Sequence, residues 1–247
     1  MSKIALVTGA SRGLGLETAR RLGRREGYTV IVGAREAAAG ERAVAELREQ
    51  GVDAEMVRLD VTSPASVAEA ADRVGARHGR LDVLVNNAGI LPEATEGNDA
   101  GPVDVEMFRR TFDTNLFGAV SVAQQFLPLL RRSPAGRIVN VSSTMGSLSD
   151  QMDPDSPYHG VVVPAYQGSK AALNAFTIAL SKRLADTPIK VNSVCPGWLQ
   201  TDLGGAENRA AAPTPAAEGA EVVVAMAILP DNGPTGSFVD RDGPVAW

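Results

Sequence analysis

A doubly wound α/β fold is what this sequence predicts: a parallel sheet of about seven strands with helices on both faces. Three observations carry the prediction. Short β-branched or Leu-rich runs alternate with amphipathic segments from the first residues to near the last. Those runs are continuously apolar, as strands of a parallel sheet covered on both faces must be. No internal repeat, linker or low-complexity tract interrupts the alternation, so right-handed crossovers can wind one sheet. A single domain over residues 1–247 is expected.

The first strand, Ile4–Val7, runs into Thr8-Gly9-Ala10-Ser11-Arg12-Gly13-Leu14-Gly15 and then a helix reaching about Arg25. Glycines there allow a tight turn and let backbone N–H groups approach a phosphate, and the helix N-terminus adds positive potential. The spacing is GxxxGxG rather than GxGxxG, and three glycines alone also fit a close strand–helix turn. Their place between strand and helix at the head of an alternating chain favours the phosphate reading, and with it a Rossmann-type sheet.

The second strand, Thr29–Val32, leads into Gly33-Ala34-Arg35. An NAD-binding chain usually ends this strand with a carboxylate for the ribose 2′-hydroxyl. Arg35 stands near that place, and Arg12 lies in the glycine loop. Either arginine alone reads as a solvated surface side chain. Together, at the two places facing an adenosine ribose, they favour NADP. A guanidinium fork binds a 2′-phosphate through charge-assisted hydrogen bonds, whereas a carboxylate repels it.

Ala54–Arg58 is the third strand. Ser63-Pro64 then caps a helix running to about His78, before Gly79. Val83–Asn86 is the fourth. From about Asp104 to Arg131, Phe108, Phe112, Leu116, Val120, Ala123, Leu127 and Leu130 recur at helical spacing. Arg137–Val141 is the fifth strand, followed by a helix from near Ala165 to about Leu184, ahead of Pro188. Lys190–Val194 is the sixth, Thr214-Pro215 opens a shorter helix, and Gly236–Val239 is the seventh strand.

The formal charge of −5 gives no reason to expect nucleic acid or an anionic membrane surface as partner. Cys195 is the lone cysteine, so no internal disulfide can form. It ends an apolar strand and reads as a small core residue. The N-terminus lacks a cleavable apolar region, and no run approaches the ~20 residues of a membrane helix. A cytoplasmic protein is expected. His78 and His159 have no ligand-like spacing, so no metal is expected.

Tyr166-Gln167-Gly168-Ser169-Lys170 puts a phenol and an ammonium on one helix face. A tyrosine pKa near 10 is too high for efficient proton exchange at neutral pH, and a neighbouring cation favours the phenolate. YxxxK alone is weak, since Tyr and Lys are common on half-buried helices. With Gly9, Gly13 and Gly15, Asn86-Asn87-Ala88-Gly89, Asn115, Ser142-Ser143 and Pro196-Gly197, however, the chain strongly resembles the short-chain dehydrogenase/reductase family over essentially its full length.

The resemblance implies an NADP(H)-dependent enzyme that interconverts a carbonyl and an alcohol. Tyr166 would be the general acid in reduction and the base in oxidation. Lys170 would lower its pKa and hydrogen-bond the nicotinamide ribose, Ser143 would polarise the substrate oxygen, and Asn115 would hold a water in the proton path. Gly9, Ser11, Arg12, Gly13, Leu14 and Gly15 would form the phosphate loop, with Arg35 at the 2′-phosphate. Asp60 and Val61 would contact the adenine. Asn87, Ala88 and Gly89 would lie along the adenosine ribose, and Pro196, Gly197, Leu199 and Thr201 would frame the nicotinamide.

Two features narrow the resemblance to carbonyl-reductase-like members, which include monomeric carbonyl, menthone and salutaridine reductases. Ser143 and Tyr166 lie 23 positions apart, wider than in compact members, with an insertion at about 144–163. The ending Gly243-Pro244-Val245-Ala246-Trp247 is similar as well. The expected substrate is an aldehyde, ketone or quinone. Its pocket would be lined from residues 90–103, 144–165 and 198–213. The insertion holds Asp150-Gln151-Met152-Asp153-Pro154-Asp155-Ser156-Pro157, too polar and proline-rich for a core element. It would cover the substrate mouth and a pairing face, which favours a monomer. A catalytically silent NADP-binding protein and an enoyl reductase are the alternatives.

Overall fold

In the computed structural model, residues 2–25, 27–96 and 104–247 are described. The strands are β1 (Lys3–Thr8), β2 (Tyr28–Ala34), β3 (Ala54–Arg58), β4 (Val83–Asn86), β5 (Arg137–Val141), β6 (Lys190–Val194) and β7 (Phe238–Val239). All pairs are parallel, in the order β3-β2-β1-β4-β5-β6-β7. The helices are α1 (Gly13–Gly23), α2 (Ala37–Glu49), α3 (Pro64–His78), α4 (Val105–Phe112), α5 (Ala119–Leu130), α6 (Leu148–Met152), α7 (Pro164–Arg183), α8 (Gly205–Ala211) and α9 (Ala216–Ala227). This is the expected doubly wound, Rossmann-type sheet.

Two apolar clusters sandwich the sheet. Ala19, Leu22, Val44, Leu47, Val223 and Ala227 from α1, α2 and α9 pack on one face. Val67, Val74, Val122, Phe126 and Leu130 from α3 and α5 pack on the other, with Leu184 just beyond α7. Strands buried on both sides explain why the sequence shows continuous apolar runs. β1 pairs with both β2 and β4, so the winding reverses there and a crevice opens beyond Thr8 and Asn86.

Two local features depart from expectation. α2 was not among the expected helices; its inward face is only Gly40, Ala43, Val44 and Leu47. The helix expected over about 104–131 is interrupted, because residues Asp113–Gly118 form a π-helical turn between α4 and α5. A Cβ on Gly118 would lie 2.8 Å from Val61 Cγ2, so close packing of this turn needs glycine. The insertion carries a short surface helix, α6, with none of its residues buried. α3 matches its caps: Ser63 Oγ accepts from Ser66 N, and Gly79 takes φ 73° at the C-terminus. Among the described residues no helix is long and apolar enough to cross a membrane.

Candidate active site

At the crevice, Gly9 (φ 63°) and Gly13 (φ 56°) adopt backbone conformations that strain L side chains. Asn87 closes the loop from the β4 side. Its Nδ2 donates to Thr8 O (2.8 Å), and Thr8 Oγ1 accepts from the N–H groups of Asn87 and Ala88 (both 3.0 Å). A Cβ on Gly15 would lie 2.5 Å from Asn87 Nδ2 and 2.6 Å from Gly9 O, so only glycine lets α1 meet the strand ends this closely. On Gly13 the nearest atom to a Cβ is Thr201 Cγ2 at 3.5 Å, which brings the segment after Pro196-Gly197 over the loop.

Arg12 and Arg35 are both exposed and, among the described residues, held by loose surface pairs. Arg12 lies 3.7 Å from Asp202, and Arg35 lies 3.6 Å from the adjacent Glu36. Such pairs are weak, so either guanidinium can exchange its carboxylate for a phosphate. Asp60 Oδ1 accepts from Thr62 N and Oγ1, while Val61 is buried against Gly118. The close-packed glycine turn, the α1 N-terminus and two uncommitted guanidinium groups fit a nicotinamide dinucleotide phosphate.

The sequence-predicted catalytic residues meet beyond β5. Tyr166 and Lys170 lie one turn apart on the inner face of α7, both buried. Ser143 lies beside the Tyr166 hydroxyl, where its side chain favours the ionised phenol. Lys170 Nζ donates to Val141 O (2.8 Å) and sits 5.5 Å from the Tyr166 ring centroid. Burial, reinforced by nearby Cys195, raises the phenol above its ordinary pKa, and Ser143 only partly opposes this. The lowering by Lys170 expected from the sequence does not appear; burial wins. Burial also holds the Lys170 ammonium down at about 8. Desolvation dominates both shifts.

Asn115 sits in the π-helical turn and is buried. Its Oδ1 accepts from Ile90 N (2.8 Å), and its Nδ2 donates to Ile90 O and Ser169 Oγ (both 3.0 Å). The amide is thus committed to the loop after Gly89 and to α7, which explains its cost inside a helix. Cys195 is buried, with its thiol pKa pushed up by burial and its Sγ 3.8 Å from Thr144 Oγ1.

Two contacts had no sequence signal. The Glu93 carboxylate accepts from Ala165 N (2.9 Å) and Tyr166 N (2.8 Å). Tyr158, half-buried in the insertion, lies close to Thr144, the residue after Ser143. Of the expected pocket lining, residues 97–103 lie outside the described residues. Leu148, Met152, Val162, Trp198 and Leu203 are exposed on the flanking segments.

The short chain dehydrogenase family profile matches residues 3–212. Carbonyl reductase [NADPH] 1 of Mus musculus is 32% identical, over 99% of this chain and 98% of its own length. (+)-Neomenthol dehydrogenase of Capsicum annuum is 30% identical, over 97% of this chain and 96% of its own length. An NADPH-bound carbonyl reductase structure from chicken fatty liver superposes with a TM-score of 0.84 at 28% identity, covering 100% of this chain and 99% of that one. The chain belongs to the short-chain dehydrogenase/reductase family, as an oxidoreductase with carbonyl-reductase-like relatives.

Proposed function

We propose that the protein reduces an aldehyde, ketone or quinone to an alcohol with NADPH, reversibly, with Tyr166 as proton donor. The observation that carries this reading is the buried pair Tyr166 and Lys170 on one face of α7, with Ser143 beside the phenol. When bound, the nicotinamide supplies the hydride. The chain's own part is orientation and a proton. Ser143 polarises the carbonyl oxygen, and the phenol, protonated at neutral pH like any tyrosine and more so through its burial, donates to the developing alkoxide. The Lys170 cation then lies close enough to favour the phenolate left behind. Asn115 holds the Ile90 loop and Ser169 in register beside them.

Gly9, Ser11, Gly13, Leu14 and Gly15 would hold the diphosphate, and Arg12 and Arg35 the 2′-phosphate. Asp60 and Val61 would meet the adenine, Asn87 to Gly89 a ribose, and Pro196, Gly197, Leu199 and Thr201 the nicotinamide. The exposed apolar side chains on the flanking segments favour a bulky apolar carbonyl. Incubation with NADPH and a panel of ketones, quinones and enones tests the assignment. Alcohol products support it; saturation of C=C bonds alone makes the chain an enoyl reductase, and no turnover makes it a silent cofactor binder.

NADPH is expected to be preferred over NADH, since each charge-assisted contact to the 2′-phosphate contributes roughly 1.5–3 kcal/mol, about tenfold or more. Arg35→Asp should erase most of that preference. Equal kcat/KM for the two cofactors in the wild type refutes the role of the arginines.

The segment between Ser143 and Tyr166 is anchored on the surface. Ser149 donates through N (3.3 Å) and Oγ (3.0 Å) to Trp247 O, and Trp247 packs on Phe238. We infer that this surface segment, lying before α7, disfavours pairing through the start of α7, so a monomer is expected. Light scattering coupled to gel filtration checks this, and a stable dimer at low protein concentration overturns it.

A further inference from the structure

Tyr166 is held by its backbone as well as by its side chain. Val163, at the N-cap of α7, offers no side-chain acceptor, and Pro164 at the first helical position has no N–H. The first free donors of the helix, Ala165 N and Tyr166 N, both go to Glu93, one to each carboxylate oxygen. Glu93 lies in a 3₁₀ turn, Pro92–Ala94, three residues beyond Ile90. The Tyr166 carbonyl is engaged too, accepting from Ser169 Oγ at 2.8 Å. Ser169 Oγ in turn accepts from Asn115 Nδ2, and the same amide grips both backbone groups of Ile90.

These bonds close a ring: Ile90, Asn115, Ser169, Tyr166, Glu93 and back along the chain to Ile90. We infer that Glu93 is a positioning residue, whose carboxylate fixes Tyr166 relative to the Asn87–Gly89 loop by completing this ring. The inference rests on the reading of Tyr166 as proton donor. An N-cap within α7 would satisfy the same two donors, yet it would leave the helix start free to shift against the loop. Glu93 reaches across from that loop, so capping and tethering are one contact. A buried reacting centre tolerates little displacement, since a shift of about 1 Å can cost on the order of 10²-fold in rate.

Capping and tethering are separable by experiment. Glu93→Ala removes both. Adding Val163→Ser restores an N-cap acceptor from within α7 but no link to the loop. Glu93→Gln keeps the link with one carbonyl oxygen and one mismatched amide. With the carbonyl substrate found by the panel above, Glu93→Ala should lose about 10- to 100-fold in kcat. NADPH affinity, read by fluorescence titration, should be unchanged. The double variant should recover thermal stability but not kcat, and Glu93→Gln should fall between wild type and Glu93→Ala.

Wild-type kcat in Glu93→Ala, or recovery of kcat together with stability in the double variant, overturns the inference and leaves Glu93 as a cap only. If Glu93→Ala does not fold, the double variant and Glu93→Gln carry the same comparison. Tyr166→Phe in the same assay separates the two layers. Full activity there removes the proton-donor reading itself, whereas an inactive Tyr166→Phe beside a fully active Glu93→Ala removes the tether alone.

Discussion

Tyr166→Phe is expected to lower turnover by at least the ~10²–10⁴-fold typical of acid–base catalysis, with NADPH binding retained. The substitution keeps the ring and its packing and removes one hydroxyl, so the buried position survives. It also removes the hydroxyl beside Ser143. Burial raises the Tyr166 pKa, so the phenol stays a proton donor well beyond neutral pH, which suits reduction. The reverse reaction needs the phenolate, so alcohol oxidation should improve as pH rises. Steady-state kinetics in both directions check this. Near-normal turnover of every carbonyl by Tyr166→Phe identifies a different proton donor.

Lys170→Met should abolish turnover and weaken cofactor binding, because one ammonium is assigned both tasks. Its effect on stability has a distinct pH signature. Burial holds the Lys170 pKa at about 8, against 10.5 when exposed. Between those values the unfolded chain binds a proton that the folded chain does not, so this group's contribution to stability rises with pH there. Below about 8 both states are protonated, and a constant penalty on the order of 3 kcal/mol remains. Methionine removes the charge at similar length. It also orphans Val141 O, a loss of ~1–3 kcal/mol that does not vary with pH. The stability difference between wild type and Lys170→Met should therefore move by a few kcal/mol toward wild type from pH 7 to pH 10.5. Denaturant titrations of the ligand-free forms measure it. Parallel curves over that range exclude a buried ammonium with a depressed pKa.

Much of the site was legible because its parts are local. A strand of Val, Ile and Leu ending in a glycine turn needs no long-range information, and β3 to β6 begin and end where their apolar runs do. Ser63 with Pro64 and Gly79 bounded α3 by capping chemistry alone. The four-residue spacing of Tyr166 and Lys170 fixed their shared face once the segment was helical. α2 escaped because its inward face is small, with three of its four buried positions Gly40, Ala43 and Val44.

What the sequence by itself determined is the order of the elements, the burial of the sheet and the identity of the candidate reactive side chains, all carried by periodicity, caps and spacing. What only the tertiary structure decided is how those groups act on one another. The helical spacing around Asn115 continues without a visible break, yet the chain forms a π-helical turn there, where Gly118 packs on Val61 and the Asn115 amide bonds Ile90. The sequence sets Lys170 beside Tyr166 and so suggests a lowered phenol pKa; the fold buries both and reverses the direction. Glu93 is an ordinary surface acid in the sequence and becomes the partner of the Tyr166 backbone only when residues 72 and 73 positions apart are brought together. Desolvation and long-range hydrogen bonds depend on what surrounds a group in space, and neither is encoded in the residues next to it along the chain.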